Sequence, residues 1–200
     1  MADIELLTYP PPSSPPPEPE KAEKETLFLR FLAWNKRHPK LIYLWSFLLP
    51  AFLMTIAHAC IGVWPFGKMS VLTLDLNAQY VFFFEALRAC VYGDGSLLYS
   101  FSRSLGGEFV GIYAYYLASP LSYLVALFPR ENITEALYTM LVLKCGLCGL
   151  TFSVFIRRKD RMGPVVTLIG ATLYALIGYG TVMQHNTMWT DNLILLPLVA

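Results

Sequence analysis

The feature that most constrains this chain is a run of 24 residues without a formal charge, from Leu41 to Trp64. As an α-helix this run is roughly 36 Å long, which is enough to cross the hydrocarbon core of a bilayer. Pro50 lies inside the run, and membrane helices tolerate proline. Trp45 and Trp64 lie near its two ends, where indole rings favour the membrane interface. We predict a transmembrane helix over residues 41–64.

A cleaved signal peptide is the competing interpretation, because Ala57-His58-Ala59 resembles a small-x-small cleavage site. About 40 residues precede the run, far more than the basic region of a signal peptide, so we predict a retained span. Residues 1–40 hold 12 of the 29 charged residues and eight of the 14 prolines. Their proline-rich run over 10–20 cannot form a helix or a sheet ladder. We predict a disordered tail that serves as a spacer or, alternatively, as a proline-motif ligand.

Over the whole chain, 56% of the residues are apolar, 14% are charged, and the net charge is +1. Soluble domains carry about 25% charged residues, and only a lipid environment allows so much apolar sequence without a matching polar surface. The small net charge gives no sign of a polyanion-binding surface. These values exclude a nucleic-acid binder and an ordinary cytosolic enzyme, and they favour an all-α polytopic membrane protein.

Further apolar stretches follow the first span. We predict transmembrane helices over residues 136–156, which include Lys144, and over residues 163–182. A last apolar stretch, residues 193–200, predicts the start of another such helix. Its eight residues are too few to cross a bilayer. We therefore expect the sequence to be the amino-terminal piece of a longer protein.

The orientation follows from lysine and arginine, which accumulate on the cytoplasmic side of membrane proteins. Arg30, Lys36, Arg37 and Lys40 precede the first span, and residues 157–162 contain a second basic cluster. We expect both clusters, and with them the N-terminus, to be cytoplasmic.

The two clusters can share a side only if one apolar stretch between them does not cross. Residues 109–128 are the weakest candidate for a span, since they are short, centred on Ser119-Pro120 and rich in tyrosine. Tyrosine rings suit an interfacial or re-entrant helix. Residues 65–135 then form one extracytoplasmic loop with interfacial helices over 77–91 and 109–128, and residues 183–192 form a second such loop.

The acids of these two loops are candidates for chemistry. Asp75 precedes the first interfacial helix, where a carboxylate can act as a general base or cap the helix. Asp191 can be a second site member, a ligand of a divalent metal, or another helix cap. His185 is close enough in sequence to join it, with a structural role as the alternative.

Two further features lie inside predicted spans. Lys144 is a charge deep within an apolar helix, where it can have a function, snorkel, or pair within a bundle, for example with an acid outside the given sequence. Cys145-Gly146-Leu147-Cys148 has the CxxC spacing of redox and zinc motifs. The sequence offers no second pair and no nearby histidine, so packing of small residues against a neighbouring helix is the favoured interpretation.

Three separated pieces of the sequence resemble motifs of the bacterial YfhO family, in the family's order. The first is Asp75-Leu76-Asn77-Ala78-Gln79-Tyr80, followed by Phe82-Phe83. The second is Ser104-Leu105-Gly106-Gly107 with Tyr115-Tyr116-Leu117-Ala118-Ser119-Pro120. The third runs from Met188 to Leu198 as MWTDNLILLPL. The resemblance covers about residues 70–200 and leaves the proline-rich tail outside it.

The resemblance implies a truncated helical bundle like that of GT-C type glycosyltransferases, with residues 77–91 and 109–128 as extracytoplasmic jaw helices. It implies transfer of a sugar from a polyprenyl-phosphate carrier to a cell-envelope acceptor, such as a teichoic-acid-type polymer, at the bacterial plasma membrane. Asp75 then matches the general base of such enzymes, and Asp191 lies where related enzymes place another acid.

Side chains near these two acids complete the expected site. Arg88 and Arg103 are the loop arginines able to neutralise a leaving phosphate. Trp189 and the loop tyrosines can stack on a sugar or anchor at the headgroup level. The expected substrate-binding residues are Gln79, Tyr80, Arg88, Arg103, Trp189 and Asp191.

The cofactor and the function class stay open at this level. A divalent metal at Asp191 is an option, and the expected partners are the lipid-linked sugar, the envelope polymer and membrane lipid, without nucleic acid. A transporter or lipid flippase would also be polytopic and would give Lys144 a role. A non-catalytic membrane assembly subunit is the third class, and it predicts that Asp75 and Asp191 are freely replaceable.

Overall fold

The structure is a computed structural model that describes residues 29–30, 33, 38–101, 105–159 and 162–200. The predicted disordered tail lies almost entirely outside these residues. Within the described part the chain is helical, with two isolated β-bridges and no strand. The first long helix, α1, spans Leu41–Cys60. The other helices, in chain order, are π-helical Leu76–Tyr80, α2 (Val81–Tyr92), α3 (Val110–Ile112), π-helical Tyr113–Leu117, 3₁₀-helical Pro120–Leu127 and Arg130–Asn132, α4 (Ile133–Lys159), α5 (Pro164–Ala175), α6 (Gly178–Val182), 3₁₀-helical Met183–His185 and α7 (Thr187–Val199).

Two of the described helices are long and apolar enough to cross a membrane, namely Leu41–Cys60 and Arg130–Lys159. Two bent pairs raise the number to four if each pair counts as one span. Val110–Leu117 and Pro120–Leu127 meet at 103°, and Pro164–Ala175 and Gly178–His185 meet at 41°. The chain is therefore an all-α membrane protein.

The long helices α1 and α4 pack against each other in antiparallel directions. Near the start of α1, the Ser46 carbonyl oxygen lies so close to Gly149 that any side chain there would collide with it. Farther along, the Cys145 thiol lies 3.7 Å from the Pro50 carbonyl oxygen. Because the pairing is antiparallel, the start of α1 and the end of α4 lie at the same end of the bundle.

Described residues of both basic clusters lie at this end. Lys40 directly precedes α1, and Arg157, Arg158 and Lys159 form the last turn of α4. The segment between the two helices therefore begins and ends at the opposite end of the bundle. That this end faces the outside of a cell stays a prediction.

The predicted helix over 109–128 is broken into two at Ala118-Ser119. The residue before a proline is pushed out of the helical region, and Ser119 is extended with ψ 134° before Pro120. The Ser119 hydroxyl accepts a hydrogen bond from the Leu121 N–H and so starts the second helix. We call Val110–Leu127 the bent pair.

Other boundaries also differ from the sequence-based ones. The helix predicted over 77–91 begins one residue earlier, as the π-helical Leu76–Tyr80 that leads into α2. The predicted span over 163–182 breaks after Ala175. Residues 187–192 were expected in a loop but are helical, because α7 already begins at Thr187. Asp191 is therefore a helix residue that faces α4.

Candidate functional site

A cavity of about 490 Å³ lies between the bent pair, α4 and α7. The corner of the bent pair forms one wall, including Tyr115, Tyr116 and Ser119. Leu147, near the middle of α4, forms another, so the corner reaches about half-way along that helix. Asp191 is the one charged residue among the described residues that line this cavity. We call this 490 Å³ cavity the inner cavity.

Asp191, which lines the inner cavity, forms an ion pair with Lys144 of α4. The ammonium nitrogen lies 2.9 Å from each carboxylate oxygen and donates to the Thr187 carbonyl oxygen at 2.8 Å. Two of these contacts are hydrogen bonds, one to Oδ2 of Asp191 and one to the Thr187 carbonyl oxygen. Lys144 is completely buried, whereas 20% of the Asp191 side chain is exposed. The carboxylate alone therefore faces the cavity.

Asp75 lies outside the inner cavity, at the start of the π-helical segment. It follows Leu74, whose φ of 46° is uncommon for a residue with a side chain. Strained backbone of this kind and π-helical turns both occur frequently at functional sites. The Asp75 side chain makes no capping hydrogen bond to the helix that it precedes. The helix-cap alternative therefore does not account for this acid.

Tyr80 connects Asp75 to the wall of the inner cavity. Its ring is fully buried and meets the ring of Tyr116 edge-on, with 5.3 Å between centroids. Burial raises the pKa of the Tyr80 hydroxyl, and Tyr116 and the charge of Asp75 raise it further. The backbone N–H of Met188 offsets part of this rise in pKa, although the Tyr80 hydroxyl makes no hydrogen bond to the described residues. Tyr80 is therefore a neutral phenol between the two parts of the site.

Arg88 faces a different cavity of about 420 Å³, which we call the outer cavity. Its Nε donates to the Phe128 carbonyl oxygen at 3.0 Å, and its guanidinium lies 4.5 Å from the centroid of the Tyr92 ring. Three other charged residues, Glu85, Asp94 and Arg130, also line this cavity.

An aromatic contact separates the two cavities. Phe83 lines the outer cavity, Tyr116 lines the inner one, and their ring centroids are 5.1 Å apart. The structure thus brings Tyr80 and Asp191 to the inner cavity's surroundings and leaves Arg88 on the far side of this contact.

The remaining predicted residues are more peripheral. Gln79 is exposed, one turn after Asp75. Trp189 stacks on Tyr179, with centroids 6.3 Å apart and planes 10° apart, and does not line the inner cavity. The His185 ring contacts the Val182 carbonyl oxygen at 3.0 Å, which fits its structural interpretation. Arg103 lies outside the described residues.

The residues present do not fit a metal centre. Among the described residues, no three His, Cys, Asp or Glu side chains come together. Both oxygens of Asp191 contact Lys144, which leaves no unpaired negative charge for a cation. Cys145 and Cys148 are buried free thiols inside the bundle, in agreement with the packing interpretation.

Sequence reasoning offered pairing as one option for Lys144 but did not identify Asp191 as the partner, and it missed the part that Tyr116 and Ser119 play in the cavity wall. A signal for the pair was present, because Lys144 and Asp191 are two opposite charges beside long apolar stretches. Charged side chains within membrane-spanning segments usually pair with a residue of opposite charge. No pattern in the sequence showed that a corner at Ser119 would meet α7.

Comparison with known proteins supports the resemblance at the level of the family. The sequence profile described as "Bacterial membrane protein YfhO" matches residues 46–200, which is well over half of the chain. No curated protein and no solved structure matches the chain.

Proposed function

The chain belongs to the YfhO family of bacterial membrane proteins, and from this premise we propose that the full-length protein is a membrane glycosyltransferase. It moves a sugar from a polyprenyl-phosphate carrier to an extracytoplasmic envelope acceptor, such as a teichoic-acid-type polymer. In this proposal the N-terminus is cytoplasmic, and the segment between α1 and α4 lies outside the cell.

One observation carries the proposal: two acids from distant parts of the chain flank one aromatic cluster and one largely apolar cavity. Asp75 directly precedes the π-helical segment that ends at Tyr80, the Tyr80 ring contacts that of Tyr116, and Tyr116 lines the inner cavity together with Asp191. An apolar cavity with one carboxylate suits a ligand that has both a hydrocarbon part and a polar head. A lipid-linked sugar is such a ligand.

In the proposed reaction, Asp75 accepts the proton of a hydroxyl group of the acceptor while the oxygen of that hydroxyl attacks the anomeric carbon of the sugar. A new C–O bond forms to the acceptor, and the bond from the anomeric carbon to the phosphate oxygen breaks. The electron pair of that bond leaves with the polyprenyl phosphate. A single displacement without a covalent intermediate inverts the anomeric configuration.

The leaving phosphate needs positive charge nearby. Arg88 and Arg130 line the outer cavity, on the other side of the Phe83–Tyr116 contact from a carrier in the inner cavity, so the proposal does not assign them this task. Arg103 is the candidate that remains. Gln79 and Trp189 are left to contact the acceptor or the lipid headgroups, because both lie away from the inner cavity.

Replacement of Asp75 by asparagine tests the proposal. In the full-length protein in lipid vesicles, D75N should lower sugar transfer from a polyprenyl-phosphate donor by about 10²-fold or more, the usual contribution of a general base. The matched control is D94N, because Asp94 is also an acid of the same segment but lines the outer cavity. Transfer by D75N at the wild-type rate would remove Asp75 from the mechanism.

A transporter or lipid flippase is the second candidate, and the position of the Lys144–Asp191 pair favours it. The pair lies near the middle of α4, where buried charges often mark a transport pathway. A vesicle assay that follows translocation of a fluorescent polyprenyl-phosphate sugar separates the two functions. Translocation that survives D75N but is lost in D191N, without any transfer, would favour the flippase.

A further inference from the structure

We propose that Lys144 is a positioning residue that holds Asp191 as a hydrogen-bond acceptor for a hydroxyl group of a sugar bound in the inner cavity. The inference rests on the proposed function for the substrate class, and it adds a role for a residue that the proposed chemistry does not use.

The geometry of Lys144 excludes a direct contact with a ligand. Its ammonium donates to Oδ2 of Asp191 and to the carbonyl oxygen of Thr187, and it lies 2.9 Å from Oδ1 of Asp191 as well. Only 1% of the side chain is exposed. Any effect of Lys144 on a molecule in the cavity must therefore pass through Asp191.

The geometry of Asp191 defines what it can bind. Each carboxylate oxygen has two lone pairs, and Lys144 donates to Oδ2, so acceptor capacity remains for a donor in the cavity, which the partly exposed carboxylate faces. An ionised carboxylate only accepts hydrogen bonds, so its partner must be a donor. A sugar hydroxyl meets this condition, whereas a phosphate group is repelled by the negative charge.

The other lining residues agree with a neutral, hydroxyl-bearing ligand. Tyr115 and Tyr116 present aromatic rings on which a sugar can stack, and their hydroxyls, with that of Ser119, can both donate and accept. Leu147 and Leu195 line the cavity with apolar surface, which suits the hydrocarbon chain of the carrier.

Stability alone gives no reason for this ion pair. Replacement of a buried pair by apolar residues of similar volume is often neutral or stabilising, so a bundle does not need the two charges to fold. Without Lys144, however, no donor from α4 fixes the orientation of the carboxylate, and the fixed acceptor is lost.

The experiment uses the full-length protein in lipid nanodiscs, with thermal unfolding as the readout. The probe is n-octyl β-D-glucoside below its micelle concentration, and n-octyl phosphate is the matched amphiphile without a sugar. A ligand that binds the folded state raises the unfolding temperature. We expect the glucoside to raise it and the phosphate to leave it unchanged.

Two variants test the role of Lys144. K144M keeps Asp191 but should lose the glucoside-induced shift, because the acceptor is no longer held. K144M/D191N removes both charges, so it should unfold near the wild-type temperature without a probe and should also lack the shift. A full shift in either variant, or an equal shift with n-octyl phosphate, overturns the proposal.

The failure of this inference is distinguishable from the failure of the proposed function. D75N leaves the inner cavity intact, so it should keep the glucoside-induced shift while it loses transfer. Loss of transfer in D75N with no glucoside shift in the wild type would reject the role of Lys144 and leave the transferase proposal standing.

Discussion

Helices α1 and α7 pack on nearly opposite faces of α4, and each carries a proline in its interior. Gly146 and Gly149 contact α1, whereas Lys144 pairs with Asp191 of α7 and Leu147 lines the inner cavity beside α7. At about 100° per residue, the centres of these two faces are roughly 160° apart around the helix. In each helix the proline leaves one backbone carbonyl without its helical N–H partner, and the two carbonyls lie in different surroundings.

A proline lacks the N–H that would bond the carbonyl oxygen four residues earlier. Pro50 therefore leaves the Ser46 carbonyl, and this oxygen lies against Gly149, where only a glycine fits. Pro197 leaves the Leu193 carbonyl, and the Tyr174 hydroxyl donates to it at 2.7 Å. The α1 face is held by close approach of backbones, and the α7 face by polar groups beside a cavity. We expect substitutions on the first face to change stability alone.

The largest effect is expected from loss of one charge on the α7 face. K144M leaves Asp191 as an uncompensated, largely buried acid, which should lower the free energy of unfolding by about 3–5 kcal/mol. Thermal or denaturant unfolding of the full-length protein in nanodiscs measures this loss. The double variant K144M/D191N should recover most of it. A loss that is equal in the single and the double variant would show that packing, and not charge, holds this face.

An intermediate effect is expected on the α1 face. In G149A the new methyl group collides with the Ser46 carbonyl oxygen, which is backbone and cannot move aside alone. Overpacking of this kind costs about 1–3 kcal/mol, so unfolding should begin at a lower temperature. The matched control is G163A, because a Cβ at Gly163 meets nothing within 4 Å and its φ is ordinary. Equal stability of the two variants would contradict the close approach of α1 and α4.

The features of the fold that could be predicted from the sequence are those that depend on local sequence alone. Apolar runs of spanning length are a local property, and α1 and α4 overlap the runs over 41–64 and 136–156, although α1 ends at Cys60 and α4 covers Ile133–Lys159. The break at Ser119-Pro120 is local as well, because proline restricts the residue before it. These signals need no knowledge of neighbouring helices.

Contacts between distant segments are not encoded in this way. Lys144 and Asp191 are 47 residues apart, and their pairing depends on the start of α7 at Thr187, which the sequence suggested to be a loop. The family motifs brought attention to Asp75 and Asp191, but they did not show that Arg88 faces a separate cavity. Such relations follow from packing, which a single sequence does not contain.

The smallest effect is expected at the Leu193 carbonyl oxygen on α7. Y174F removes the hydroxyl that donates to it, and loss of one such hydrogen bond should lower the free energy of unfolding by about 1 kcal/mol. The test is the same substitution in the P197A background, because an alanine at position 197 supplies the N–H that the helix lacks. There the carbonyl keeps a donor, and Y174F should cost little. Unfolding in nanodiscs is measured for the wild type, Y174F, P197A and the double variant. The difference between the two costs of Y174F reports the hydrogen bond to the carbonyl that Pro197 leaves free, separately from the packing of the Tyr174 ring. If Y174F costs the same in both backgrounds, the hydroxyl does not replace the missing N–H, and the ring of Tyr174 on α5 contributes to the contact with α7 in another way.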